Sequence, residues 1–262
     1  MRKPTVYDLL HSKGKVQHLQ VHVDNAEEAA ACEAVGIRLI GCESDHRLDA
    51  VRMAAPTGFI SAGAKHGQLA TADDAVRHGF ALLARGADSV YCSASPHFIE
   101  AMAREGIPVT GHVGLVPNWG TWTNFRAIGK TPQEALSVYR KMKDIESAGA
   151  AFVEVEVVPV KLAAFLTANT SMLTMGMGCG NVCDTQYLFT TDILGNNPGH
   201  YPRHSKAYAD FLGLMAQVQA ARVAALQAFR DDVEQGTYPE ARHQVDVDDQ
   251  TFEAFLDLAR KI

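Results

Sequence analysis

The chain has 262 residues, 47% hydrophobic and 21% charged, the profile of a globular protein with enough apolar material for a full core. A net charge of -6 and the lack of any basic stripe argue against nucleic acid, whose binding is driven by Lys and Arg neutralising phosphates. No apolar run approaches the roughly 18 residues of a membrane span, and no apolar stretch follows Met1-Arg2-Lys3-Pro4 as in a secretory leader. A cytoplasmic protein is expected, in which the five scattered cysteines are reduced thiols. Cys179 and Cys183 stand four apart, but no second ligand pair with zinc spacing follows, so they are not read as a zinc site.

Along the chain one unit recurs: a helical segment ends near a glycine, and a short apolar run follows and finishes on polar residues. A first strand is predicted at 19–24. Glu33-Ala34-Val35-Gly36 then leads into 37–44, and a further strand is predicted at 58–65. Thr71 with Asp74 reads as a helix start, and Ala84-Arg85-Gly86 leads into 87–95. Arg104-Glu105-Gly106 leads into 107–114, Thr131-Pro132-Gln133-Glu134 reads as a capping box, Ser147-Ala148-Gly149 leads into 150–159, and another strand is predicted at 172–178. Glycine just past a helix takes the left-handed cap at no Cβ cost. Short, nearly continuous apolar runs suit parallel strands covered on both faces. A barrel and an open sheet share this alternation. No Gly-x-Gly-x-x-Gly turn opens a first helix, and about 250 residues is typical of one barrel, so a single (β/α)8 TIM barrel over 1–262 is predicted. After residue 200 the texture changes: helices at 205–232 and 248–262, separated by a polar stretch, form a C-terminal helical extension, 205–262, read equally as covering its own barrel or as packing on a neighbouring subunit.

In such a barrel the site lies at the C-terminal ends of the strands. Those ends carry His22 and Asp24, Glu43 and Ser44, Lys65 and His66, Tyr91 and Ser93, His112, and Glu154 and Glu156. Glu154 and Glu156 alternate with Val153, Val155 and Val157, so both carboxylates face one way. If that way is inward, desolvation and like charge raise their pKa values, which suits a general base or acid near neutrality. Glu156 is the candidate base. His112 sits between Gly111 and Val113-Gly114, where glycines permit close backbone approach and an imidazole can donate to a substrate oxygen.

These segments resemble the ketopantoate hydroxymethyltransferase (3-methyl-2-oxobutanoate hydroxymethyltransferase) family of the phosphoenolpyruvate/pyruvate barrel superfamily. The resemblance is clearest in Thr110-Gly111-His112-Val113-Gly114-Leu115-Val116-Pro117, Val155-Glu156-Val157-Val158-Pro159-Val160 and Met175-Gly176-Met177-Gly178-Cys179-Gly180, with Gly199-His200-Tyr201-Pro202-Arg203 and Gly236-Thr237-Tyr238-Pro239 later. It implies aldol-type C–C bond formation through the enolate of a 2-oxo acid, a divalent metal, usually Mg2+, and 5,10-methylenetetrahydrofolate as one-carbon donor. By resemblance Glu156 is the glutamate that assists enolisation and His112 the histidine near the substrate. Ser44 matches the serine of an Asp-Ser pair, and Glu43 stands where its metal-binding Asp would be. The resemblance also implies a large homo-oligomer, possibly a decamer.

The sequence departs from the family at the metal. The second metal-linked Asp aligns with Gly63, and a Lys-x-Glu on the next strand appears as Tyr91-Cys92-Ser93. Lys65 shares the parity of Gly63 and is a candidate, with Tyr91 and Ser93, for binding the substrate carboxylate or enolate. His22, Asp24 and His66 with Glu43 form an alternative set for a softer metal. Three functions stay open: the family reaction, an aldolase or lyase acting on another 2-oxo or hydroxy acid, and a silent metabolite-binding paralogue.

Overall fold

The computed structural model describes residues 2–63 and 67–262. Eight parallel strands close into a barrel in chain order: β1 (His18–His22), β2 (Leu39–Glu43), β3 (Phe59–Gly63), β4 (Ser89–Tyr91), β5 (Val109–Gly114), β6 (Phe152–Glu156), β7 (Leu173–Met177) and β8 (Thr185–Phe189), with β8 pairing back onto β1. The helices are α1 (Val6–Ser12), α2 (Ala26–Val35), α3 (Arg47–Ala54), α4 (Ala72–Ala84), α5 (Pro96–Arg104), α6 (Gly120–Thr123), α7 (Pro132–Ser147), α8 (Val160–Ala168), α9 (Thr190–Ile193), α10 (Phe211–Gln235) and α11 (Asp249–Ala259).

Strand parity sorts the side chains into two cores. Ile40, Ile60, Val90, Val113, Val153 and Val155 belong to the larger cluster, packed with helix residues such as Leu82, Met102 and Met142. Leu39, Phe59, Phe152 and Leu173 each open their strand, and with Met175 and Leu9 of α1 they form a second cluster. That cluster fills the N-terminal end of the barrel with large apolar groups, which leaves the C-terminal end for polar ones.

The caps largely follow their sequences. Thr71 and Asp74 close a reciprocal capping box on α4, at 3.0 and 3.1 Å. At α7 only half of the expected box forms: Thr131 accepts from the Glu134 N–H at 3.2 Å, while the Glu134 carboxylate accepts from the N–H groups of Gly129 and Lys130, both at 3.1 Å. Glu134 thus ties down the incoming loop rather than the cap residue. Thr131→Ala is expected to cost about 1 kcal/mol, read as a denaturation midpoint lowered at unchanged slope.

The eighth strand went unread in the sequence. Only residues 178–184 join β7 to β8, with no helix and no helix-terminating glycine to announce it. Two buried thiols pack in place of that helix: Cys179 and Cys183 lie 3.5 Å apart, Cys179 Sγ donates to the Val155 carbonyl at 3.5 Å, and a Cβ on Gly176 would meet Cys183 at 2.8 Å.

The chain divides into two compact units at Asp210 and Phe211. The long helix therefore starts six residues later than the predicted 205. Ser205 is held to Asp192 at 2.5 Å and the Tyr208 N–H donates to the Ile193 carbonyl at 2.8 Å, so this stretch is fixed to the barrel unit by polar bonds. The second unit holds α10 and α11. No residue of α10 is buried, and Leu214, Met215, Val223 and Leu226 are exposed along it.

Candidate active site

At the C-terminal ends of the strands the inward parity is polar. β5 contributes His112, and its register partner on β6 is Glu154; Gly114 pairs with Glu156. His112 is buried, with Nδ1 3.4 Å from Glu154 Oε2 and Nε2 3.1 Å from Glu156 Oε2. Both carboxylates face one way, as their alternation predicts, and that way is inward, onto one cavity. The Nε2 contact is not aligned as a hydrogen bond, and this buried nitrogen has no hydrogen-bond partner among the described residues. Nδ1 has one: Tyr91 Oη at 2.7 Å.

These groups border a cavity of about 350 Å3, within the size range of small-molecule sites. His22, Glu43, Gly63, Ser93 and Tyr187 also line it. Burial pushes the His22 imidazole down to about 4, with the Arg47 charge adding to the effect, so it is neutral at pH 7. Its Nδ1 lies 3.3 Å from Tyr187 Oη. Gly41 is required where these two meet, because a Cβ there would lie 2.9 Å from Tyr187 Oη. Burial, aided by the Glu154 carboxylate, raises the phenols of Tyr91 and Tyr187 well above their ordinary value, so both keep their protons.

Burial also raises Glu154 well above the ordinary 4.5, and the charge of Glu156 adds to it. Folding therefore takes up a proton here. The stability Glu154 contributes is fully present below the ordinary carboxylate pKa and is lost as pH rises from there through the raised pKa of the folded state. Glu154→Gln, uncharged throughout, is expected to flatten this decline, which amounts to at most about 1.4 kcal/mol per pH unit. Urea titrations at pH 5 and pH 8 measure it.

Not every expected residue comes to the cavity. Asp24 turns to Arg47 Nη1 at 3.3 Å, and Ser44 is buried beside the mouth, its carbonyl accepting from Arg85 at 3.0 Å; neither lines the cavity. Lys65 and His66 lie outside the described residues. Gln20, Tyr187 and Phe189 line the cavity without having been expected. The alternation of Thr185, Tyr187 and Phe189 was the available signal on β8.

Of the described metal candidates, His22 and Glu43 line the cavity and Asp24 does not. Glu43 pairs in register with Gly63, and Gly63 with Tyr91. A Cβ on Gly63 would meet Tyr91 Cδ1 at 3.3 Å, so a side chain at position 63 would press on the tyrosine ring. Among the described residues no three His, Cys, Asp or Glu side chains are placed to hold a metal ion; of the alternative set of His22, Asp24, His66 and Glu43, His66 lies outside the described residues.

Residues 34–241 match the family model for ketopantoate hydroxymethyltransferase. The chain belongs to this family. A 3-methyl-2-oxobutanoate hydroxymethyltransferase of Thermotoga sp. (strain RQ2) is 33% identical over 199 residues, 74% of this chain and 71% of that protein. One from Cenarchaeum symbiosum (strain A) is 30% identical over 230 residues, 82% and 85% of the two chains. Among solved structures, a protein of Burkholderia cenocepacia J2315 described as a phosphonomutase shares the fold, with a TM-score of 0.54 at 13% identity, covering 85% of this chain and 97% of that one. This ketopantoate hydroxymethyltransferase family member is thus a hydroxymethyltransferase-like enzyme on an eight-stranded barrel. No helix among its described residues is long and apolar enough to cross a membrane.

Proposed function

We propose that this chain forms the enolate of a small 2-oxo acid at its barrel mouth and joins it to a one-carbon electrophile. The substrate favoured by its relatives is 3-methyl-2-oxobutanoate, with 5,10-methylenetetrahydrofolate as the donor. One observation carries the reading: Glu156 and His112 lie 3.1 Å apart on the wall of one cavity of about 350 Å3, with His112 Nε2 unpartnered.

A lone pair on Nε2 facing the Glu156 oxygen at that distance would be repelled, so the proton belongs on Nε2. Nδ1 is then the acceptor for the Tyr91 O–H, a phenol that burial keeps protonated. With the 2-oxo acid in the cavity, Glu156 takes the C3 proton. The electron pair moves onto the keto oxygen, where the Nε2–H donates as negative charge develops. Water adds to the donor's methylene carbon and tetrahydrofolate leaves, giving formaldehyde; the enolate carbon attacks that carbonyl carbon, its electron pair moves onto the oxygen, and the proton held on Glu156 passes to this alkoxide to complete the hydroxymethyl group. The described residues do not fit the family's two-carboxylate metal mode, because position 63 is glycine and supplies no carboxylate, and a side chain there would press on the Tyr91 ring. In this reading the enzyme is a cytoplasmic homo-oligomer, tested by its mass in solution.

The purified protein incubated with 3-methyl-2-oxobutanoate and methylenetetrahydrofolate, with Mg2+, Mn2+, Zn2+ or none, is expected to yield ketopantoate. Failure under all four conditions overturns the hydroxymethyl transfer. A second reading is favoured by the Gly63 and Tyr91 wall: the same enolate logic applied to a different 2-oxo or hydroxy acid. Pyruvate or oxaloacetate release from a panel of such acids selects it.

A further inference from the structure

The cavity at the barrel mouth is polar at depth as well as at its rim. On four strands a lining residue stands two places before a rim residue, so it points inward one step deeper: Gln20 before His22, Ser61 before Gly63, Glu154 before Glu156 and Tyr187 before Phe189. All four are buried. Two of them carry orphaned atoms, Gln20 Oε1 and Ser61 Oγ, neither of which has a hydrogen-bond partner among the described residues. Tyr187 Oη has the His22 ring at 3.3 Å, and burial raises the pKa of the Glu154 carboxyl, which favours its donating form.

Buried polar side chains are nearly always paired, and one left unpaired costs about 1–3 kcal/mol. An alkyl tail pressed against Gln20 and Ser61 would strip them of water and return no hydrogen bond. A hydroxyl both donates and accepts, so it pairs with either group. A second carboxylate does not suit the place: Glu43, Glu154 and Glu156 line the cavity, and no Lys or Arg does among the described residues. The same three groups keep the ligand's own carboxylate at the solvated mouth, so its tail is the part that enters the deep half.

We infer that this cavity takes a 2-oxo acid whose tail is uncharged and bears a hydroxyl beyond C3, held by Gln20 and Ser61. This class rests on the second reading, enolate formation from a different 2-oxo acid. The hydroxyl belongs to the substrate on arrival, unlike the one that hydroxymethyl transfer makes at C3, where Glu156 works.

Two acids of nearly one shape test it: 4-hydroxy-2-oxopentanoate, and 4-methyl-2-oxopentanoate, in which a methyl replaces the hydroxyl. With the whole protein in D2O, kcat/KM for C3 exchange is expected to be at least about tenfold higher for the hydroxy acid, the discrimination that one unmet hydrogen bond produces. 2-Oxoglutarate, with a charged tail, should be the slowest of the three. Gln20→Leu combined with Ser61→Ala should bring the ratio of the first two acids near one, by slowing the hydroxy acid and speeding the methyl one. A folding defect would slow both alike. Calorimetric affinities of the same pair should differ in the same direction, a readout that needs no turnover. The inference is overturned by a hydroxy acid no better than its methyl analogue in exchange or, where neither exchanges, in binding. It is overturned equally by a preference that the double variant leaves intact, or by 2-oxoglutarate as the best of the three. Tighter binding of the hydroxy acid without exchange of either acid sinks the enolate reading alone. Ketopantoate formation without the hydroxyl preference sinks this inference alone.

Discussion

Glu156→Gln is expected to lower the rate of C3 hydrogen–deuterium exchange into 3-methyl-2-oxobutanoate by about 100- to 10,000-fold, the range over which a positioned general base contributes. The substitution preserves shape and the approach to His112 Nε2, now 3.1 Å from the carboxylate, but removes the only thing the step requires, an acceptor for the proton. Exchange in D2O, followed by proton NMR, reads this step without any one-carbon donor, so it isolates enolisation from transfer. Melting temperature should stay close to that of the wild type, because the Glu156 side chain accepts no hydrogen bond that Gln cannot replace. Unchanged exchange in a folded variant would mean that the base lies elsewhere. Glu154 would be the first alternative, although burial pushes its pKa up, which suits it to giving a proton rather than taking one.

The parts of the site written in strand parity were legible in the sequence. Glu154 and Glu156 flank a valine, and His112 sits two residues before Gly114, so once the barrel is assumed they must share one wall. What sequence could not supply was the lateral direction. Whether Gly63 leaves a hole or a filled space depends on Tyr91 of the neighbouring strand, whose ring lies 3.3 Å from where a Cβ would stand. Asp24 belonged to the rim by position, yet Arg47, on the helix of the following unit, draws it away. The eighth strand escaped because no helix and glycine announce it, 178–184 offering packed thiols instead, and because it opens on Thr185 and Gln186 rather than on a continuous apolar run. Tyr187 was lost with it. Local pattern thus found the groups that stand on one strand or face each other across one ladder, and missed those decided by what a neighbouring element leaves open.

The other large effect is expected at Gly114, which joins the two halves of that wall. It has φ +91°, a conformation costing an L-residue about 1–2 kcal/mol. A Cβ there would also stand 2.1 Å from the Glu156 carbonyl oxygen and 2.9 Å from Val158 Cγ1. Backbone cannot swing aside as a side-chain tip can, and that carbonyl is fixed by the Leu115 N–H at 2.8 Å. Gly114→Ala must therefore spread the ends of β5 and β6, at the point where His112 meets Glu156. The loss is expected to reach about 4 kcal/mol, among the largest that single substitutions produce. That corresponds to a melting temperature lower by about 8–16 °C. Gly106→Ala supplies the control: φ is +76° there too, but nothing lies within 4 Å of the added methyl, so only the conformational cost of about 1–2 kcal/mol applies. If the two variants melt together, the close approach at Gly114 is not tight in solution. If they separate as expected and Gly114→Ala, assayed well below its melting point, also loses C3 exchange, the spacing between His112 and Glu156 is what this glycine preserves.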